Sequence, residues 1–540
     1  MSLELEKNII QRVALGDIFR RRAASTPDRV ALRDYKTDIR QTVTFKELNQ
    51  AMNRFANAAR SNGLEKDGRI ALLGLNSAEY VISLYGSAKA GLTAVPINPG
   101  ISAEDLIYVL NHSGASCLVA DSLLAPMVDR IRDRLSAIRQ VIIIPTGSEV
   151  LPEKAILFNN FLSQGSDSEV LDTIIQNGDT FEILYTSGTT GCPKGVLVTH
   201  LGVYISALST AIEFGLRPGD SSTMMLPMFH CAQQAVTLST LNVGGAVSII
   251  RQFDPGRVME IVENDRINLV FGLPIMYRAM LHHPRVLEHN WEHLRGCVFA
   301  MAPMDQATLE KGMAVFKAEF MLGTGQTECF PPTNMFRASR HLDKQGNYWG
   351  ESNLALDTAV MDEGGRLLGP GQVGEIVWRG PVVMAGYYND EEATVRSRQF
   401  GWHHSGDLGA FDRDGQLLFV DRKKDMIKTG GENVASIKVE RVILGDSRVE
   451  QVAVVGLPDE RWTEAVTAFV VPAKGSNVTE EDIVGLCKRE LGKFEVPKQV
   501  IFMESLPLTS TGKIRKNVLR EKGESLKMLT IQREYHHGCD

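Results

Sequence analysis

Residues 183–196 read ILYTSGTTGCPKGV. A short apolar run, Phe181 to Tyr185, enters the hydroxyl and glycine residues Thr186, Ser187, Gly188, Thr189 and Thr190, and the stretch continues through Gly191 to Lys194. Phosphate oxygens need many donors close together. Glycines let backbone N–H groups turn toward an anion, hydroxyls add further donors, and a lysine supplies charge. The spacing is not that of the GxxxxGK[ST] loop, because Lys194 is followed by Gly195. A Ser/Thr/Gly-rich surface turn is the ordinary reading of such a composition. The donor density, the lysine at one end and the apolar strand at the other outweigh it here.

Working outward, RIALLGL (69–75) predicts a strand, and SAEYVISLYGSAKAG (77–91) predicts a helix that stops on a glycine. TAVPINP, a helix over AEDLIYVLNHSG and a strand in SCLVAD continue the alternation. INLVFGLP (267–274) and HLRGCVFAMAP (293–303) repeat it further along. Strands alternating with helices predict a doubly wound α/β core with largely parallel sheets. From about residue 355 the apolar stretches shorten and turns intervene, as in GEIVWRGP and GQLLFVDR, which predicts a small antiparallel, barrel-like subdomain. After Asp421 the chain reads as an α+β module. Strands are expected in EQVAVVGLP, AVTAFVVP and VPKQVIFM, with a helix capped by Thr479 and running to about 491. The boundary is drawn at DRKKD. The expectation is a large α/β domain over 1–422, a smaller mobile α+β domain over 423–520, and a weakly ordered tail over 521–540.

The chain has 540 residues, enough for about three or four packing units. A net charge of −7 with no strongly basic stretch argues against a protein whose main task is to hold a nucleic-acid backbone. Seven scattered cysteines without a CxxC pair argue against a disulfide framework or a zinc site and fit a reducing, cytoplasmic setting. The start, MSLELEKNIIQRVALGDIFRRRA, distributes its charge and lacks the apolar core of a secretory signal. No window approaches ~18 uninterrupted apolar residues, so no integral membrane segment is expected.

YTSGTTGCPKG resembles the signature loop of the adenylate-forming superfamily of acyl-CoA synthetases, peptide-synthetase adenylation domains and beetle luciferases. Further stretches resemble that family's motifs in the same order: LPMFH (226–230), AMAP (300–303), GTGQTE (323–328), GWHHSGDLG (401–409), FVDRKKDMIKTGGENV (419–434) and LPLTSTGKIRK (506–516). The resemblance covers about residues 18 to 520. It implies that ATP is held by Thr186, Ser187, Gly188, Thr189, Thr190 and Lys194, by Ala302 and Pro303, and by Thr324, Gly325 and Gln326. It also implies that Thr327 meets the α-phosphate or the acyl carboxylate. Asp407, assisted by Arg422, would accept the ribose hydroxyls. Glu328, a carboxylate just after a glycine-containing turn, suits Mg²⁺ beside ATP phosphates. Where this chain has Thr324 the family more often has a tyrosine, so an aromatic stacking contact with adenine is in question.

By the same resemblance Lys513 reaches the reacting carboxylate and α-phosphate. A positioned ammonium and Mg²⁺ offset the charge that builds up when two anions meet. No general base is required, because the attacking carboxylate is already ionised. Lys424 matches the family's hinge. GGENV resembles the coenzyme A ligases rather than the peptide synthetases. Gly430, Gly431, Trp462, Phe494 and Lys498 match positions that meet coenzyme A in some relatives, and an aromatic pair with a cation suits a nucleotide; ordinary packing of a small domain is the competing reading.

The acyl wall is expected over His230 to Gln233, including Cys231, and over Gly272 to Pro274, Met301 to Pro303, Gly325 and Cys329 to Asn334. These residues are mostly apolar or small, with no cation for a second carboxylate, which points to a hydrophobic monocarboxylate. The expectation is an acid–coenzyme A ligase using ATP, Mg²⁺ and coenzyme A, without nucleic acid and compatible with a homodimer. The alternatives are an acyl-AMP ligase that loads a carrier protein and a non-catalytic nucleotide-binding protein.

Overall fold

Ser77 accepts the N–H of Tyr80, and Gly91 takes a left-handed φ of 71°, so the helix Ala78–Ala90 begins and ends where its sequence signals it should. Such caps stabilise a helix by about 1 kcal/mol each. Ser102 and Gly114 close the helix Ala103–Ser113 in the same way. The strands between these helices are buried on both faces, which is why Thr93–Ile97 and Cys117–Asp121 read as continuous apolar runs rather than alternating ones. The computed structural model describes residues 1–36, 40–146, 152, 154–186, 192–344, 346–508 and 514–525. The chain forms two compact units, one of Met1–Ala359 with Val377–His404 and the other of Val360–Ile376 with Ser405–Asp540.

The first unit holds two sheets. One runs in the order Gly386–Tyr387, Lys194–Thr199, Thr180–Thr186, Thr93–Ile97, Arg69–Leu73, Cys117–Asp121, Gln140–Ile144 and Ile156–Leu157. Its members from Thr180–Thr186 onward are parallel, and its first two are antiparallel. In the other, Glu319–Thr324, Gly296–Phe299, Leu269–Gly272, Ser221–Met224, Ala246–Ile249 and Val30–Asp34 lie side by side and parallel. Strand–helix alternation therefore produces the doubly wound, largely parallel architecture it predicts.

In the second unit residues 407–411, the end of the strand Trp402–Phe411, form an antiparallel ladder with Leu417–Arg422 that places Asp407 opposite Arg422. Further on, Val449–Asp459 and Thr463–Pro472 pair along their length, Ile427–Thr429 and Gln499–Phe502 join Thr463–Pro472, and Glu432–Val434 pairs with Ile427–Thr429. The helix Glu480–Glu490 carries the expected Thr479 cap, completed by Asp482 into a capping box. Residues 516–525 are helical, with Leu519 fully buried against Ala453, Val455 and Phe469, so order continues past residue 520. The rest of the expected tail, 526–540, lies outside the described residues.

Candidate active site

The signature loop leaves and re-enters one hairpin. Thr186, the last residue of its strand, sits directly opposite Lys194, the first residue of the next. Ser187, Gly188, Thr189, Thr190 and Gly191 lie outside the described residues. The ammonium of Lys194 stands over the ring of Tyr387, 5.1 Å from its centroid. The Tyr387 hydroxyl donates to Oε1 of Glu328 at 2.9 Å. Burial, and then the Glu328 carboxylate, push the Tyr387 phenol far above its ordinary range, so it stays protonated and remains a donor. A loop cation thus lies on the face of an aromatic ring whose hydroxyl ends on a carboxylate.

Glu328 belongs to a short turn, Thr327–Cys329, that follows the strand Glu319–Thr324. The turn is held tightly. Thr333 donates its N–H to the Thr324 carbonyl at 2.8 Å, and a Cβ at Gly325 would stand 2.7 Å from that of Pro331. Only glycine fits there. Met301, between Ala300 and the exposed Ala302 and Pro303, takes a left-handed φ of 72°. A non-glycine residue in that region marks a constrained turn at the end of its strand. Among the described residues no group of three or more His, Cys, Asp or Glu gathers into a metal cluster.

LPMFH is fixed by three buried amides. Asn76 donates to the carbonyl of Leu226 at 2.8 Å and accepts the N–H of Met228 at 2.9 Å. Gln233 accepts the N–H of Leu226 at 3.1 Å, and Gln234 donates to the Met228 carbonyl at 2.9 Å. Leaving any one of these groups unpaired costs about 1–3 kcal/mol. Gln233, expected on the acyl wall, is fully buried with its amide committed to this bracket. His230 sits at the N-terminus of the helix Cys231–Asn242, and its Nδ1 accepts the N–H of Ala232. Cys231 is buried against Thr327, and burial followed by Glu182 pushes its thiol up to about 12. Gly272 ends its strand where a Cβ would come within 2.6 Å of the Met225 methyl. Around these residues Leu226, Phe271, Ala300, Met321 and Met335 form a continuous apolar cluster.

In the second unit Arg422 and the buried Asp407 form an ion pair at 3.6 Å, and Asp407 donates its backbone N–H to the Ser405 hydroxyl at 3.0 Å. The N–H groups of Asp425 and Met426 both donate to the Arg422 carbonyl, closing a turn with Lys424 inside it. Burial lowers the Lys424 ammonium, opposed by neighbouring Asp425. Gly430 and Gly431 take left-handed φ values of 59° and 86°. Gly430 donates to the Trp462 carbonyl at 2.7 Å and lies against the indole, where a Cβ would stand 3.1 Å away. Lys498 stands over the same indole at 5.2 Å and Arg461 at 4.8 Å, with Phe494 exposed nearby in sequence. Lys513 lies outside the described residues, but Leu508 and Ile514 on either side of its segment are paired in an antiparallel bridge.

Thr186, Lys194 and the turn bearing Glu328 are therefore in one unit. Asp407, Arg422, Lys424, Gly430, Gly431, Trp462 and Lys498 are in the other. Tyr387, which lies between two of the expected site residues, carries no sequence signal of this kind: GYYND offers neither a donor cluster nor a charge pattern.

The chain matches the family model of AMP-binding enzymes over residues 19–388 and that of the AMP-binding enzyme C-terminal domain over 438–513. It is 35% identical to a feruloyl-CoA synthase from Amycolatopsis sp. over 93% of this chain and 97% of that protein. It is 34% identical to a long-chain-fatty-acid–CoA ligase from Mycobacterium tuberculosis, covering 94% and 98%. The solved structure of ATP-bound MatB from Rhodopseudomonas palustris superposes with a TM-score of 0.83 at 26% identity, covering 95% and 99%.

Proposed function

The chain belongs to the AMP-binding enzyme family and is an AMP-forming acid–CoA ligase; from that premise we propose which residues carry its two steps. A carboxylic acid and ATP give an acyl-AMP and pyrophosphate, and the thiol of coenzyme A then takes the acyl group and releases AMP. The observation that carries the residue assignment is that Tyr387, beside the Thr186–Lys194 hairpin, meets Lys194 with its ring and Glu328 with its hydroxyl. A cation and a carboxylate held by one aromatic side chain suit phosphates and their counter-ion.

In this reading the phosphates lie against Thr186, Ser187, Gly188, Thr189, Thr190 and Lys194. Ala302, Pro303, Thr324, Gly325 and Gln326 border the nucleotide, and Asp407 with Arg422 takes the ribose. A single carboxylate suits Mg²⁺, which binds through one or two carboxylates plus phosphate oxygens and keeps several waters. Mg²⁺ held by Glu328 would neutralise phosphate charge. Thr327 orients the acyl carboxylate, and Lys513 offsets the charge that builds on the α-phosphate during its attack. Lys424 is the pivot between a large domain ending at 422 and a small one from 423. Coenzyme A then lies along Gly430, Gly431, Trp462, Phe494 and Lys498, where an indole with two cations beside it would stack on its adenine.

The acid is a hydrophobic monocarboxylate, aryl or medium-chain, passing His230, Cys231, Gly272 and Met301. The methionine-rich apolar cluster beside Gly272 supports this choice, since thioether side chains adapt to varied apolar shapes. A cytoplasmic location and a homodimer complete the proposal. The six unpaired cysteines among the described residues support the former, and light scattering tests the latter. The deciding experiment is pyrophosphate release across a panel of carboxylic acids, with and without coenzyme A. Release with aryl or medium-chain acids, and adenylate consumed only when free coenzyme A is present, is the expected result. Consumption only with a carrier protein would turn the reading to a carrier-loading ligase, and silence across the panel to a nucleotide-binding protein.

A further inference from the structure

The short strand Gly386–Tyr387 and its neighbours bind both sides of the phosphate region at once. Tyr388 donates its N–H to the Gly195 carbonyl at 2.7 Å, and Ala385 donates to Leu197 at 2.8 Å, so the segment lies against the strand that begins with Lys194. Two residues earlier, Met384 donates its N–H to the carbonyl of Glu328 at 2.7 Å. The segment therefore holds the backbone of Glu328 and the backbone next to Lys194 in one register. Tyr387 adds the side-chain part of the same grip. Its N–H is taken by the Thr394 hydroxyl at 2.8 Å, its ring lies under the Lys194 ammonium, and its hydroxyl ends on Oε1 of Glu328.

We propose that Tyr387 is a positioning residue for nucleotide and metal, fixing the Glu328 carboxylate and the Lys194 ammonium relative to each other. The proposal rests on the reading of Glu328 as the metal carboxylate and Lys194 as a phosphate cation. A hydrogen bond to one carboxylate oxygen selects the rotamer and aims the other oxygen, and groups that orient a metal ligand in this way are worth roughly 10–100-fold in metal affinity. The ring separately holds the ammonium on its face through the attraction of a cation for the aromatic quadrupole. An aromatic residue packed only as filler would need the ring but not the hydroxyl.

The full-length chain is titrated with ATP by calorimetry at a series of free Mg²⁺ concentrations, without acid substrate so that nothing turns over. Tyr387→Phe keeps the ring and its packing. It is expected to raise the free Mg²⁺ needed for half-maximal ATP binding about tenfold or more, with the thermal midpoint of the nucleotide-free protein little changed. Tyr387→Leu, which also removes the ring, is expected to weaken ATP binding further even at saturating Mg²⁺. Glu328→Gln is the control for the underlying reading. If Glu328→Gln shifts the Mg²⁺ requirement while Tyr387→Phe keeps the wild-type one, the proposal for Tyr387 is overturned. If Glu328→Gln itself keeps the wild-type requirement, it is the assignment of Glu328 as the metal carboxylate that falls. Equal ATP affinity of Tyr387→Phe and Tyr387→Leu at saturating Mg²⁺ would remove Lys194 from the grip.

Discussion

The side-chain amide of Gln234 donates to the carboxylate of Glu182 at 3.0 Å, and both residues are buried. Glu182 lies on the strand that runs into the signature loop, and Gln234 lies on the helix that starts at Cys231. The same amide nitrogen also reaches the carbonyl of Met228. One amide thus ties the strand that runs into the signature loop to the LPMFH segment. The other Glu182 oxygen has no hydrogen-bond partner among the described residues. A buried carboxylate with so little support is held as the neutral acid, and burial raises Glu182 to about 8.

This sets a pH dependence of stability with a definite sign. In the unfolded chain the carboxyl ionises near its ordinary 4.5, and in the folded chain near 8. The native state therefore binds the extra proton between these values, and stability falls as pH rises through that window. The contribution is fully present below about pH 4.5 and is lost by the time the pH passes about 8. Glu182→Gln keeps the shape and has no such step. Its thermal midpoint is expected to gain on the wild type as the pH rises from about 5 to about 8.5. Parallel midpoint curves would show that Glu182 is not held neutral.

Much of this was legible in the sequence because the relevant signals are local. Ser77, Gly91, Ser102, Gly114 and Thr479 cap helices by backbone chemistry that needs no tertiary context. The buried parallel strands are continuous apolar runs for the same reason. What stayed hidden depends on distant residues meeting. Asn76 bonds to a segment about 150 residues away, with sequence separations of 150 and 152 for its two contacts there. Tyr387 reaches Glu328 across a separation of 59. Gln233 reads as a pocket residue from its neighbours in sequence, yet its helix turns it inward toward Thr223 and Leu226. Periodicity cannot reveal which buried amide a loop will recruit.

Coenzyme A binding gives a separate test. If the adenine stacks on Trp462 beside Lys498 and Arg461, Trp462→Ala loses a stack worth about 1–3 kcal/mol, or roughly 5–150-fold in KM for coenzyme A. Acyl-AMP should still form at its wild-type rate when coenzyme A is left out. A variant in which KM for coenzyme A is unchanged would assign the indole to packing against Gly430 alone.

Lys513 should matter only where charge builds on the α-phosphate. Lys513→Ala is expected to slow adenylate formation by about 10²–10³, the scale for loss of one transition-state donor. Thioester formation from supplied acyl-AMP should survive. The two half-reactions are measured separately, by pyrophosphate release and by acyl-CoA yield from the synthetic adenylate. An equal fall in both would contradict the assignment.

The hinge carries the last test. One site must serve two reactions, and pyrophosphate must leave before a thiol can approach, so the lysine segment and the loop Lys428-Thr429-Gly430-Gly431-Glu432-Asn433 are proposed to exchange. Lys424 lies within the turn closed on the Arg422 carbonyl, and its own carbonyl accepts from Arg520, on the 516–525 helix just beyond the lysine segment. Arg520 also pairs with Asp425 at 2.7 Å. The turn around Lys424 and the 516–525 helix are thus fastened within one unit, and if residue 424 is the proposed pivot a change of its backbone angle should carry that helix with it. Hinges are a few residues at element ends that absorb such a change. Proline fixes φ near −65°. Lys424→Pro should hold a single arrangement while both units stay folded, as circular dichroism would report. Adenylation is expected to persist and thioester formation to fall more than tenfold, equivalent to more than ~1.4 kcal/mol of barrier. Acyl-AMP should then accumulate over acyl-CoA. If the two products instead appear in the wild-type ratio, residue 424 is not the pivot, and the exchange of loops loses its mechanical basis in this chain.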